Sequence, residues 1–211
     1  MFDSELLAGS ALPPVSLDPL APGAGAVGQG ADFQLAVAMQ RQKQDNWCWL
    51  AVAASVSEFL AQPGHTAWEQ CTLGSALIPG NPDCCQDGAS EACDRSGDLG
   101  KALEQTRNLR CAPVDDRIQA ADIVRELSAG RPIGCQIEWT SGEPLTHAVA
   151  IIGYRNDGVH EDLTIGDPAP DDNPSDPVPP ALVPLASFPG SYKNGALWSR
   201  TFFTTSGQPA A

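Results

Sequence analysis

No run in this sequence is long and apolar enough to span a membrane. A spanning helix needs about 20 apolar residues in succession, and the nearest candidate, Leu50 to Phe59, is broken by Ser55, Ser57 and Glu58. Membrane insertion is not expected. Positive charge is scarce too: 12 Lys plus Arg stand against 26 Asp plus Glu, for a formal net charge of −14. Binders of phosphate backbones draw their affinity from clustered cations, so nucleic acid is not an expected partner. The segment Met1 to Leu20 lacks a basic leader and a long apolar stretch, and does not read as a secretory signal peptide. There is no internal repeat. No Cys-x-x-Cys pair occurs, which argues against structural zinc. The acidic stretch Asp167 to Asp176 has no Gly-centred loop and reads as solvated rather than as a calcium site. No metal or cofactor is implied.

Cysteine, by contrast, is plentiful. Seven cysteines suit an oxidising compartment, and an odd count leaves one thiol over if six pair. With no export signal in view, the expected location is extracytoplasmic, reached by a non-standard route or after removal of a leader. Three disulfides are expected among Cys71, Cys84, Cys85, Cys93, Cys111 and Cys135. Six cysteines allow fifteen connectivities. The preferred one joins Cys111 to Cys135 and gives Cys71 and Cys93 one each of the adjacent pair, because a bond between neighbours would be strained.

Residues 1–32 are rich in Ala, Gly and Pro and read as a leader or linker, followed by one domain over 33–205 and a polar tail over 206–211. Trp49, Val52, Ala53, Val56, Phe59 and Leu60 recur at helical spacing, with Asp45 or Asn46 as cap and Pro63-Gly64 as stop. Residues 64–98 read as a cross-linked loop with a short helix near Trp68 to Leu73. Helices are expected over Leu99 to Leu109 and Ala120 to Ala129, and strands over Ile133 to Trp139, His147 to Tyr154, Asp162 to Gly166 and Ala196 to Thr204. Residues 168–190 read as loop. Helices first and strands afterwards predict an α+β fold, a helical half packed on an antiparallel sheet half. A single monomeric domain is expected.

The unpaired thiol is where chemistry is sought. Cys48 stands outside the cysteine cluster at the start of the first helix, where free backbone N–H groups favour a thiolate. Of three histidines, His65 follows a Pro-Gly turn and His160 lies in a polar loop. His147 opens the apolar strand Ala148 to Ile152, where a half-buried imidazole needs a reason to be present. If the next two strands form a hairpin through 155–160, facing residues sum to 315 by number, and His147 lies opposite position 168. Asp167, fixed before Pro168, then stands beside the imidazole and can hold its tautomer. An oxyanion would find the Cys48 backbone N–H as one donor, with Gln42 as the second and Gln44 as its rival.

Gln42 six residues before Asn46-Trp47-Cys48-Trp49, Arg131-Pro132 before a strand, Thr146-His147-Ala148-Val149 through Gly153-Tyr154, and Asp167-Pro168 together resemble the bacterial papain-like cysteine proteases. The resemblance runs from Gln42 to Thr204 and includes Cys71, Cys84, Cys85 and Cys93. It implies a papain-like fold with a cleft between the two halves. It further implies Cys48 as nucleophile, His147 as base, Asp167 as orienting group and Gln42 as oxyanion donor. The expected activity is cofactor-free cleavage of peptide bonds in a protein or peptide substrate through an acyl-enzyme. The alternatives are a papain-like acyltransferase of the transglutaminase type, which uses the same thioester, and an inactive papain-like binding or effector module.

Overall fold

The computed structural model describes residues 30–61, 67–139, 145–169 and 175–206. Its elements run β1 (Ala31–Gln34), α1 (Cys48–Leu60), α2 (Gln70–Leu77), α3 (Leu99–Gln105), α4 (Ala120–Ser128), β2 (Ile133–Trp139), β3 (Leu145–Asn156), β4 (Glu161–Gly166), β5 (Ala181–Pro184), a short 3-10 turn (Leu185–Ser187) and β6 (Ala196–Phe203). The strands form one antiparallel sheet in the order β5-β4-β3-β2-β6. Strand β3 is long enough to have two partners along one edge. β2 pairs with it from Leu145 to Ile151, and β1 takes over from Gly153 to Asn156.

Both faces of the sheet are covered. Ala148, Ala150, Ile152 and Phe202 face a core shared with α1, α2 and α3. Ile133, Cys135, Ile137, Val149, Ile151 and Ile165 face a second core that includes Ile123 and Leu127 of α4. A strand buried on both sides carries apolar residues without alternation, which is why Ala148 to Ile152 forms a continuous apolar run. This is an α+β fold, with helices packed on an antiparallel sheet.

Several boundaries differ from the sequence reading. β1 begins at Ala31, inside the stretch read as leader; residues 1–29 and the stop at Pro63-Gly64 lie outside the described residues. Helix α1 has Trp47 at its N-cap position, and no side chain caps it. Asp45 and Asn46 precede the first turn, and Asn46 instead bonds Asp94 through its backbone N–H (2.8 Å) and its side-chain amide (3.3 Å). Helix α2 covers Gln70 to Leu77 rather than Trp68 to Leu73. Helix α3 stops at Gln105 because Arg107 turns into the left-handed region (φ 61°), and Leu109 then bridges to Thr204 beside β6. The Pro/Asp-rich loop contains β5, an edge strand beside β4, where flanking prolines cost no ladder bonds.

The disulfides are Cys71–Cys85 and Cys84–Cys93; Cys48, Cys111 and Cys135 are free thiols. The expected Cys111–Cys135 bond is absent for a topological reason. The 109–114 segment lies along β6, and β6 lies between it and β2. Two strand spacings of about 4.8 Å exceed the roughly 7 Å that a disulfide can bridge between Cα atoms. Cys135 therefore remains a buried thiol in the sheet, and burial pushes its pKa well up.

Candidate active site

The N-terminal end of α1 is positioned by the cross-linked loop. Trp47 and Trp49, on either side of Cys48, donate their indole N–H groups to the backbone carbonyls of Cys93 (2.8 Å) and Arg95 (3.1 Å). The disulfide Cys84–Cys93 ties that loop down beside them. Gly97 lies against the Trp49 ring so closely that a Cβ there would sit 2.4 Å from it. The loop and the helix start are thus one packed unit, and Cys48 emerges from it half-buried.

The segment before the helix is gripped from three sides. Gln40 donates its backbone N–H to Ser55 Oγ in α1 (2.9 Å). Fully buried Gln70 of α2 accepts from the Lys43 backbone N–H (3.0 Å) and donates to the Arg41 carbonyl (2.8 Å). Gln42 donates its backbone N–H to the carbonyl of Pro168 (2.9 Å), so the chain leading to Cys48 is tied to the turn after β4. The Gln42 side chain lines the same cleft as Cys48 and His147, with its Nε2 donating to the Asp45 carbonyl at 2.7 Å. Gln44, the rival, does not line it, and its amide nitrogen packs against Gly88 in the disulfide loop. Gln70 and Ser55 were not singled out from the sequence. The available signals were one of two serines in a mostly apolar helix and a glutamine beside a cysteine, neither of which is distinctive.

His147 and Asp167 meet across the sheet. His147 Nε2 lies 2.7 Å from Asp167 Oδ1, and the Asp167 side chain is 2% exposed. The register that produces this contact is not the one expected. The connection is shorter, spanning 157–160, and the outer pairs from Asn156↔Glu161 to Gly153↔Thr164 sum to 317 by number. A bulge at Ile152 then shifts the sum to 316 at Ile151↔Ile165 and Ala150↔Gly166. An extra residue in one strand re-aims the side chains beyond it, and the carboxylate of Asp167 reaches the imidazole from just past the end of β4. His160 is an exposed turn residue 3.5 Å from Asp157, and His65 lies outside the described residues.

With Nε2 engaged by Asp167, the remaining ring nitrogen, Nδ1, serves Cys48. Burial lowers the His147 pKa, but the hydrogen bonds that the ring donates to Asp167 and Cys48 outweigh it and raise the pKa to about 9. Burial of Cys48 opposes ionisation. The hydrogen bond and charge of His147, with the backbone N–H groups of Ala148 and Trp49, overcome it and hold the thiol below its ordinary value. Asp167 is held well below the carboxylate range against its burial by the bond and charge of His147, helped by the Ala169 N–H and Lys193. Each shift favours the charged form, so the arrangement favours thiolate, imidazolium and carboxylate in a row.

These groups open onto a cleft of about 640 Å³ between the helical layer, which supplies Gln42, Cys48, Trp49 and Gly97, and the sheet layer, which supplies Trp139 and His147. Tyr192 and Lys193 complete its wall from the loop before β6. The sequence reading did not single them out, and the sole signal was a lysine in a chain with few cations.

No curated protein matches this chain. Among solved structures, a fold match is found in work on the mite allergens Blo t 1 and Der p 1. It has a TM-score of 0.54 and 14% identity and covers 89% of this chain and 74% of the other. At that identity the likeness speaks for the fold alone. Residues 30–178, more than half of the chain, match the family described as papain-like cysteine protease AvrRpt2. The chain therefore belongs to that family and is a papain-like cysteine peptidase.

Proposed function

We propose that the protein is an endopeptidase that cleaves its protein substrate through an acyl-enzyme on Cys48. The observation that carries this reading is the contiguous chain of Cys48, His147 and Asp167, with 2.7 Å between the last two, opening into the cleft at the start of α1. The Cys48 thiolate forms a C–S bond to the scissile carbonyl carbon. The oxyanion takes the Cys48 backbone N–H, which has no partner within the helix, and the Gln42 side-chain amide. As the C–N bond breaks, His147 passes its proton to the leaving amine. Water then adds to the thioester while His147 takes its proton, and the C–S bond breaks to release the acid. Asp167 keeps the imidazole in one tautomer throughout.

Two disulfides accord with an oxidising location, and we place the protein outside the cytoplasm. Among the described residues no helix is long and apolar enough to cross a membrane.

The test is mass spectrometry of a denatured protein mixture incubated with the enzyme, with and without an excess of a primary amine. New carboxyl termini in both arms, abolished by Cys48→Ala, are expected. Amide products at the cleaved carbonyl with no free acid would make the protein a transferase, and cleavage that survives Cys48→Ala would overturn the assignment.

A further inference from the structure

The carboxylate of Asp167 has two oxygens, and one of them faces away from His147. Oδ1 accepts from His147 Nε2 at 2.7 Å and from the Ala169 backbone N–H at 2.8 Å. Oδ2 accepts from the Tyr192 hydroxyl at 2.7 Å and lies 3.3 Å from the Lys193 ammonium. Lys193 also donates to the Ala169 carbonyl at 3.3 Å, which joins it to the same turn. The loop bearing both side chains is itself fixed. Tyr192 and Lys193 donate backbone N–H groups to the Pro189 carbonyl, at 3.0 and 2.8 Å. The Tyr192 ring packs near buried Phe188, which meets Trp198 edge-on at 5.7 Å.

We infer that Tyr192 and Lys193 are positioning residues that clamp the far oxygen of Asp167, so that the loop before β6 sets how the carboxylate meets His147. The inference rests on the triad reading above. A carboxylate held at one oxygen can swing about its Cβ–Cγ bond, whereas donors on both oxygens fix its plane. The two donors differ in kind. Tyr192 contributes direction without charge. Lys193 also neutralises part of the carboxylate, which weakens its hold on the imidazolium. Among the described residues, the titratable groups bonded to this pair are Cys48 from α1, facing His147, and Tyr192 and Lys193 from the loop, facing Asp167.

The experiment compares Tyr192→Phe, Lys193→Met and Lys193→Arg with the wild type, reading kcat and KM on a cleaved peptide across pH, with Asp167→Ala in parallel. Tyr192→Phe should lower kcat on the order of tenfold with KM nearly unchanged, the effect of a misaligned reacting group. Lys193→Met should move the alkaline limb of kcat/KM upward, and Lys193→Arg should restore it. Circular dichroism checks that each variant is folded, and the two lysine variants carry the test should the tyrosine variant not be. Wild-type kcat and limb in Tyr192→Phe and Lys193→Met, or a change in KM alone, would overturn the clamp while leaving the triad in place. Wild-type turnover in Asp167→Ala would instead remove the triad reading and the clamp together.

Discussion

At Cys48, His147 and Asp167, burial and mutual bonding act in opposite directions, and bonding wins at all three. The consequence for pH can be worked out by sign. The raised pKa of His147 stabilises the fold fully below its ordinary value of 6.5, and that contribution fades as pH climbs through about 9. The lowered Asp167 contributes above its ordinary value of 3.8 and fades as pH falls through its lower folded value. Turnover needs thiolate and imidazolium together, so kcat/KM should be bell-shaped. The acid limb should lie below the ordinary thiol value of 9.0 and the alkaline limb near 9, both belonging to the pair rather than to either residue. Iodoacetamide labelling of Cys48 in the unreduced protein should extend to lower pH than that of an ordinary thiol with a pKa of 9.0. A labelling rate that climbs only near 9, as for a free cysteine, would refute the ion pair. At Asp167, the Asn variant should keep substrate binding but lose turnover, because an amide cannot stabilise an imidazolium, and the Ala variant should lose more. Steady-state kinetics of the two variants against wild type check that order.

Elements carry the next level of consequence, and α4 is the plainest case. Its Glu126 is completely buried and receives Arg110 at 2.9 Å, Arg131 at 2.7 Å and Arg125 at 3.3 Å. Burial raises its pKa, yet the bonds from Arg131 and Arg110 hold it below the usual range. The carboxylate thus pins α4 to the chain before β2 and to the segment beside β6. Glu126→Gln should destabilise the fold by about 2–3 kcal/mol, at or below the usual cost of breaking a buried pair because the arginines are partly exposed. A shift in the urea midpoint with unchanged slope checks it. None of this was legible in the sequence, because the arginines lie at separations of one, five and sixteen residues from Glu126, with no repeat to announce them. Periodicity did reveal α1, α4, β2 and β6, whose apolar spacing follows directly from the face each buries. It failed at β5, where three apolar residues between prolines give too short a pattern, and at Arg107, where a left-handed residue ended α3 early. Cys48 and His147 stand out in the sequence because each stands where its residue type is unusual, whereas Asp167, an ordinary aspartate before a proline, was reached through the assumed hairpin. The hairpin register was not legible: Gly153 beside Ile152 marks the bulge, but a glycine inside a strand does not by itself say where or how the register shifts.

On the scale of the whole molecule, the proposed chemistry depends on a distance between layers. Cys48 belongs to α1, while His147 belongs to β3 and Asp167 follows the end of β4, so the row of charges exists only while α1 packs closely on β3. What permits that approach is small side chains on the sheet side: Ala148 and Ala150 face the helical core, where Val52, Ala53 and Val56 of α1 are fully buried. Buried positions of this kind have no spare volume, and adding methylenes costs about 1–3 kcal/mol as backbones shift apart. Ala150→Leu should therefore lift α1 from β3 and draw Cys48 away from His147, and its effect on catalysis should exceed its effect on stability. The expected outcome is a protein that still unfolds cooperatively, with both disulfides intact, but whose Cys48 labels with the pH dependence of an ordinary thiol and whose turnover is largely lost. Ala150→Gly removes volume instead and should keep the ion pair at some cost in stability, which separates the spacing effect from general damage. If Ala150→Leu left the labelling profile and kcat unchanged while lowering stability, the sheet would be absorbing the extra volume elsewhere, and the distance between layers would not be what holds the thiolate in place.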